Sequence, residues 1–187
     1  MLLECVEQET GPAPAWTVLW LHGLGADGHD FAPIVPELVR PHWPALRFVF
    51  PHAPVRPVTI NGGMRMRAWY DIVGMDFANR ADAAGIEESV QQVEALIARE
   101  VERGTPASRI VLAGFSQGGA IALATGLRRQ APLAGLVALS TYLPGGQAVA
   151  AQRHPNAVAQ PVFFAHGDGD PVIAVQHGLA SAQALEQ

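Results

Sequence analysis

Short apolar runs of strand length alternate along this chain with stretches of helical length, and that alternation constrains the fold more than any other feature. The runs cover residues 17–22, 47–50, 110–115, 136–140 and 162–166, each bounded by Gly, Pro or polar turn residues. Within most of them apolar residues occupy consecutive positions, as in strands covered on both faces. Parallel neighbours of that kind need long crossovers, and helices supply them. Helices are expected over 31–39, 84–103 and 117–129, with another beginning at Ile173. The segment 84–103 is the clearest, because Val90, Val93, Leu96, Ile97 and Val101 recur near helical spacing. The pattern predicts an α/β fold, a mostly parallel sheet between two layers of helices.

The stretch 51–79 has no clean period and carries Pro51, Pro54, Pro57, Gly62, Gly63 and Gly74, so it reads as an elaborate loop. A loop that long in a compact domain is usually functional. No internal repeat or composition shift divides the 187 residues, which are read as one domain, 1–187. A chain of that length can bury most of its apolar surface around one core. A net charge of −5, with all twelve basic residues being Arg scattered from Arg40 to Arg153, offers no basic patch for nucleic acid. Glu4, Glu7 and Glu9 interrupt the N-terminal residues and leave neither a signal sequence nor a spanning segment there. Cys5 is the single cysteine, read as a passive thiol. Cytoplasmic residence is the expectation.

Gly114-Phe115-Ser116-Gln117-Gly118 matches G-x-S-x-G and lies between the expected strand 110–115 and the expected helix from Gln117. In such an elbow the serine occupies a strained turn, so its neighbours must lack bulk, and Gly114, Gly118 and Gly119 meet that need. The turn lifts the hydroxyl above the sheet and aims the helix N-terminus at a developing oxyanion. The arrangement resembles the nucleophile elbow of the α/β-hydrolases. Ser116 is the candidate nucleophile. The N–H of Gln117, the next residue, is one candidate oxyanion donor, and Leu24 N–H, on the His22-Gly23-Leu24-Gly25 loop after the first predicted strand, is the other. His22 precedes the nucleophile and is read as orienting this loop by hydrogen bonding.

Chain order in this class runs Ser, then Asp or Glu, then His. Asp168 and Asp170 follow the predicted strand 162–165 and are both candidates for the acid, although either also suits a solvated turn. His177 is the one histidine downstream, and its place in the first turns of a helix makes it a helix-surface residue. His22, His29 and His52 show no H-E-x-x-H or comparable metal spacing, and neither metal nor cofactor is expected.

Several blocks in one order resemble the phospholipase/carboxylesterase family, small bacterial carboxylesterases related to acyl-protein thioesterases. They are Leu21-His22-Gly23-Leu24-Gly25-Ala26-Asp27-Gly28, Phe50-Pro51-His52-Ala53-Pro54, Trp69-Tyr70-Asp71, the elbow, and His166-Gly167-Asp168-Gly169-Asp170-Pro171-Val172. The resemblance implies an α/β-hydrolase-type three-layer sandwich, Asp170 as the acid, and Leu24 and Gln117 as the oxyanion donors. It also implies a further strand, a Gly-His segment supplying the base and a terminal helix after Gln187, so that against the family pattern the chain is truncated at its C-terminus. The activity implied is hydrolysis of carboxylic esters, or thioesters, of short to medium acyl chains through a Ser116 acyl-enzyme. The partner is then a small-molecule acyl ester, and a homodimer is compatible. Lactone hydrolase, peptidase or perhydrolase chemistry on the same scaffold stays open, as does a base-less acyl-binding pseudoenzyme. Met64, Met66, Trp69 and Met75 suit an acyl-binding wall and core packing equally.

Overall fold

The computed structural model describes residues 2–74 and 82–186. Among the described residues there are eight strands: β1 (Cys5–Glu9), β2 (Trp16–Leu21), β3 (Leu46–Pro51), β4 (Val55–Val58), β5 (Met64–Arg67), β6 (Ile110–Phe115), β7 (Gly135–Leu139) and β8 (Val162–Ala165). The α-helices are α1 (Val35–Leu38), α2 (Ala83–Glu102), α3 (Gln117–Gly126), α4 (Gly146–Ala151) and α5 (Val175–Glu186). Six strands form one sheet in the order β1-β3-β2-β6-β7-β8. All neighbours in it are parallel except β1, which runs antiparallel to β3. This is the expected α/β class.

Alternate side chains of each central strand leave on opposite faces, which produces two cores. Leu19, Leu21, Val49 and Leu112 pack under α2 and α3 with Val93, Leu96, Ile97, Ile121 and Leu123. Trp20, Phe48, Phe50 and Ala113 pack on the other face with Ala32 and Val35. Asp82 starts α2 by accepting the Gly85 N–H (2.9 Å).

Some expectations need correction. The stretch 51–79 is not a structureless loop, since β4 and β5 pair within it as an antiparallel hairpin. Its turn uses Gly62 and Gly63 at φ of 65° and 78°, and Asp71, in the segment after β5, holds that turn by accepting the Thr59 N–H at 2.7 Å. Two strands of four residues, exposed over much of their length, show too little apolar period to be read directly. β1 was hidden because its glutamates face solvent and Arg side chains. The helix expected over 31–39 is a 3-10 turn, Ala32–Ile34, followed by four α-helical residues. Met75 and Asn79 fall outside the described residues.

Glu100 on α2 is fully buried and joins the helix to the sheet: it accepts from Arg47 Nη1 (3.1 Å), Thr17 Oγ1 (3.1 Å) and Arg103 Nη1 (3.0 Å). Burial by itself would push its carboxyl up, but Arg47, Arg103 and Arg99 together hold it below the usual glutamate value. A depressed folded-state pKa means the stabilisation is present above the ordinary value and lost as pH falls. Glu100→Gln is therefore expected to cost about 2–3 kcal/mol at pH 7, less than a fully buried pair because solvent screens Arg99 and Arg103. In urea titrations the gap from wild type should narrow once the pH drops below about 4. A gap independent of pH would contradict this account.

Candidate active site

Parallel register brings the site residues to one edge of the sheet. Phe115 of β6 lies level with Leu139 of β7, which lies level with Ala165 of β8, while Leu21 of β2 pairs with Gly114. The residues that follow, His22, Ser116, Ser140 and His166, therefore emerge at the C-terminal ends of the strands, where open α/β sheets place their ligand sites. Ser116 sits at φ 52°, ψ −119°, between β6 and α3. This is a positive-φ conformation that a serine enters only when its surroundings impose it. Ser140, directly after β7, is a second such residue at φ 45°.

What imposes the turn is close backbone packing. A Cβ on Gly114 would collide with the Gly118 backbone, one on Gly118 would lie 2.6 Å from the His22 carbonyl, and one on Gly119 would lie 2.7 Å from Thr141 Cγ2. The elbow is also hydrogen-bonded to β7: Ser116 N–H donates to Leu139 O at 2.9 Å, and Thr141 Oγ1 donates to Ser116 O at 2.7 Å. Gln117 N–H is the first amide of α3, one of those without an intrahelical acceptor. Across from it, a Cβ built on Gly23 would lie 3.6 Å from Ser116 Cβ, which puts the His22–Gly25 loop directly beside the nucleophile.

His22 is nearly fully buried and has both ring nitrogens engaged. Its Nδ1–H donates to Gly23 O (2.7 Å), and its Nε2 accepts the Ala53 N–H (3.0 Å). That pattern requires the neutral Nδ1–H tautomer, and burial pushes the imidazole pKa down accordingly. With no free lone pair, this ring cannot take a proton from Ser116 without breaking the loop. Asp170 Oδ1 accepts the N–H groups of Val172 (2.8 Å) and Ile173 (3.0 Å), which hold its carboxyl below the usual aspartate range. Its Oδ2 lies 3.6 Å from His166 Nε2, a nitrogen that is already directed at Ile173 O (2.7 Å). Asp168 is exposed in the preceding turn. His177 lies on the exposed side of α5.

Trp69 is completely buried, so core packing rather than an acyl wall describes it, whereas Met64 is 64 % exposed on the hairpin. Met66 approaches the loop from below, its sulfur 3.7 Å from where a Gly25 Cβ would stand. The fold also gathers what spacing did not suggest: Asp27, His29 and His52 bring ligand-type atoms within 4.8 Å of one another. Here Asp27 Oδ1 accepts from His29 N–H (2.7 Å), and His52 Nδ1 accepts the Gly28 N–H (3.0 Å). A cation bound through that nitrogen would have to displace the Gly28 bond, so as arranged the three residues staple the loop after β2 to the loop after β3.

A strained serine on a strand-to-helix elbow, at the C-terminal edge of a mostly parallel sheet, defines a serine hydrolase of the α/β-hydrolase class. Within that class the chain belongs to the phospholipase/carboxylesterase family, whose model matches residues 3–187. It is 40 % identical over 192 residues to acyl-protein thioesterase 1 of Mycosarcoma maydis, covering 97 % of this chain and 80 % of that protein. Acyl-protein thioesterase 1 of Yarrowia lipolytica is 43 % identical over 167 residues, covering 88 % of this chain and 74 % of the relative. Among solved structures, SOBER1 of Arabidopsis thaliana superimposes with a TM-score of 0.84 at 32 % identity, covering 91 % of this chain and 82 % of that one. Among the described residues, no helix is long and apolar enough to cross a membrane.

Proposed function

We propose that the protein hydrolyses carboxylic esters or thioesters of short to medium acyl chains, with Ser116 forming the acyl-enzyme. The observation that carries this is the strained, positive-φ Ser116 at the elbow with Gly23 beside it. In this reading Ser116 Oγ attacks the acyl carbonyl, and the N–H groups of Leu24 and Gln117 receive the oxyanion. Asp170, held ionised by two backbone amides, orients and charge-balances the imidazole that takes the Ser116 proton and returns it to the leaving group. His22 has both ring nitrogens committed to the loop and is not assigned as the base. The relatives named as acyl-protein thioesterases support a thioester among the substrates. We place the reaction in the cytoplasm, where a lone thiol such as Cys5, its pKa pushed up to about 11 by burial, stays reduced and unreactive.

A fluorophosphonate should add to Ser116 alone in the complete protein, seen as a single modified peptide by mass spectrometry. Labelling that persists in Ser116→Ala would overturn the assignment. Hydrolysis of p-nitrophenyl acetate that disappears on His177→Ala would make His177 the base and correct this account there.

A further inference from the structure

Ser116 is served by two loops that come from distant parts of the sequence, and one side chain reaches from the first toward the second. We propose that the Gln117 side chain, acting through Trp69, couples the two oxyanion donors, so that Gln117 offers its N–H as one donor and positions the loop that carries the other. This rests on the reading that Leu24 and Gln117 form the oxyanion hole.

The coupling follows from peptide geometry. Leu24 N–H belongs to the same planar unit as Gly23 C=O, so whatever fixes that carbonyl fixes the direction of the N–H. Gly23 O accepts from the His22 ring (2.7 Å) and from Ala26 N–H (3.3 Å). The preceding carbonyl, His22 O, accepts the indole Nε1–H of Trp69 at 2.9 Å. Three contacts thus hold two successive peptides, and the His22 ring is itself held by Ala53 N–H.

Trp69 in turn depends on Gln117. The Gln117 Oε1 accepts the Trp69 N–H at 2.8 Å, and its Nε2 donates to Tyr70 O at 2.8 Å, a two-point clamp on the segment after β5. Ser89 of α2 donates to the Trp69 carbonyl from the other side. Gln117, Trp69 and His22 are 2 %, 0 % and 2 % exposed, so water does not compete for these bonds and each broken one leaves a buried group unpaired. The links stand in series: Gln117 to Trp69, Trp69 to His22 O, His22 to the Gly23–Leu24 peptide. Releasing any link lets the Leu24 N–H drift from the oxyanion while Gln117 N–H stays in place. Both side chains are positioning residues.

The test is kcat per active site, counted by fluorophosphonate titration of the complete protein so that misfolded molecules drop out. Losing a whole oxyanion donor costs about 10²–10³ in kcat, and displacing one is expected to cost about 10- to 100-fold. Trp69→Phe removes the indole N–H together with part of the buried ring, and Gln117→Met keeps the backbone donor while removing the clamp. Each should lower kcat by that amount with KM within about twofold, the signature of an interaction made in the transition state. Because the links are in series, the double variant should lose no more than the worse single one. Ser89→Ala, a milder change on α2, should move kcat in the same direction and carries the test if the larger changes fail to fold. His22→Asn, which can still donate to Gly23 O, should retain more kcat than His22→Ala. Losses that multiply, losses confined to KM, or kcat unchanged per titrated site would overturn the coupling. Failure of Ser116 to label in the wild-type protein would instead remove the reading beneath it.

Discussion

Ser116→Ala is expected to lower kcat by about 10⁶, some 8 kcal/mol of barrier, with little change in KM. The size follows from the removal of the covalent step: without Oγ there is no acyl-enzyme, and water must attack a carbonyl that only the oxyanion donors still polarise. Those donors are backbone groups. The proposed donors, Leu24 and Gln117, keep their N–H groups in the variant, and the elbow keeps its Gly114, Gly118 and Gly119 contacts, so a small residual rate should survive. The fold should tolerate the change, since alanine removes one oxygen and adds no bulk. A loss below about 10³ would mean that Ser116 is not the nucleophile. Turnover of p-nitrophenyl acetate and of a short-chain acyl thioester, each measured on the complete protein, reads the effect for both leaving groups.

Asp170→Asn is expected to lower kcat by about 10⁴, and Asp168→Asn by no more than about twofold. The asymmetry is geometric. The Oδ1 of Asp170 accepts two backbone N–H groups at 2.8 Å and 3.0 Å, which an asparagine oxygen can keep, so the side chain should stay in place. Its second oxygen becomes an amide N–H, which donates where an imidazole N–H needs an acceptor, and the base is held in the wrong tautomer. Asp168 has no comparable anchoring and stands in solvent. Because the amides keep the Asp170 carboxyl below the usual aspartate range, it stays ionised as pH falls toward 4, and the acid limb of kcat/KM should report the imidazole alone. The depressed folded value also means that Asp170 contributes stability above its unfolded pKa and loses it at lower pH. Equal losses for the two substitutions would remove Asp170 from the mechanism.

The two residues differ in how far the sequence could separate them. Asp168 and Asp170 are both turn-forming aspartates two positions apart, and the choice between them came from resemblance. Only the folded loop shows which carboxylate two amides hold. His22 is the converse case: chain order argued against its acting as the base, and the structure supplies the physical reason by showing both ring nitrogens in use.

What the sequence determined by itself was whatever depends on neighbours along the chain. Consecutive apolar positions specify strands buried on both faces, the 3.6-residue recurrence in α2 specifies the face it buries, and a serine among glycines between strand and helix specifies a strained elbow. These are local steric and hydrophobic requirements, legible without knowing what lies across the sheet. Tertiary structure decided what depends on residues far apart: the β4–β5 hairpin, too short and too exposed to carry a period; β1, whose glutamates make sense only against Arg47, Arg99 and Arg103; the meeting of Asp27, His29 and His52; and the path from Gln117 through Trp69 to His22. Hydrogen bonds spanning 48 and 47 residues leave no mark on local periodicity, because their partners become neighbours only after the hydrophobic layers have closed.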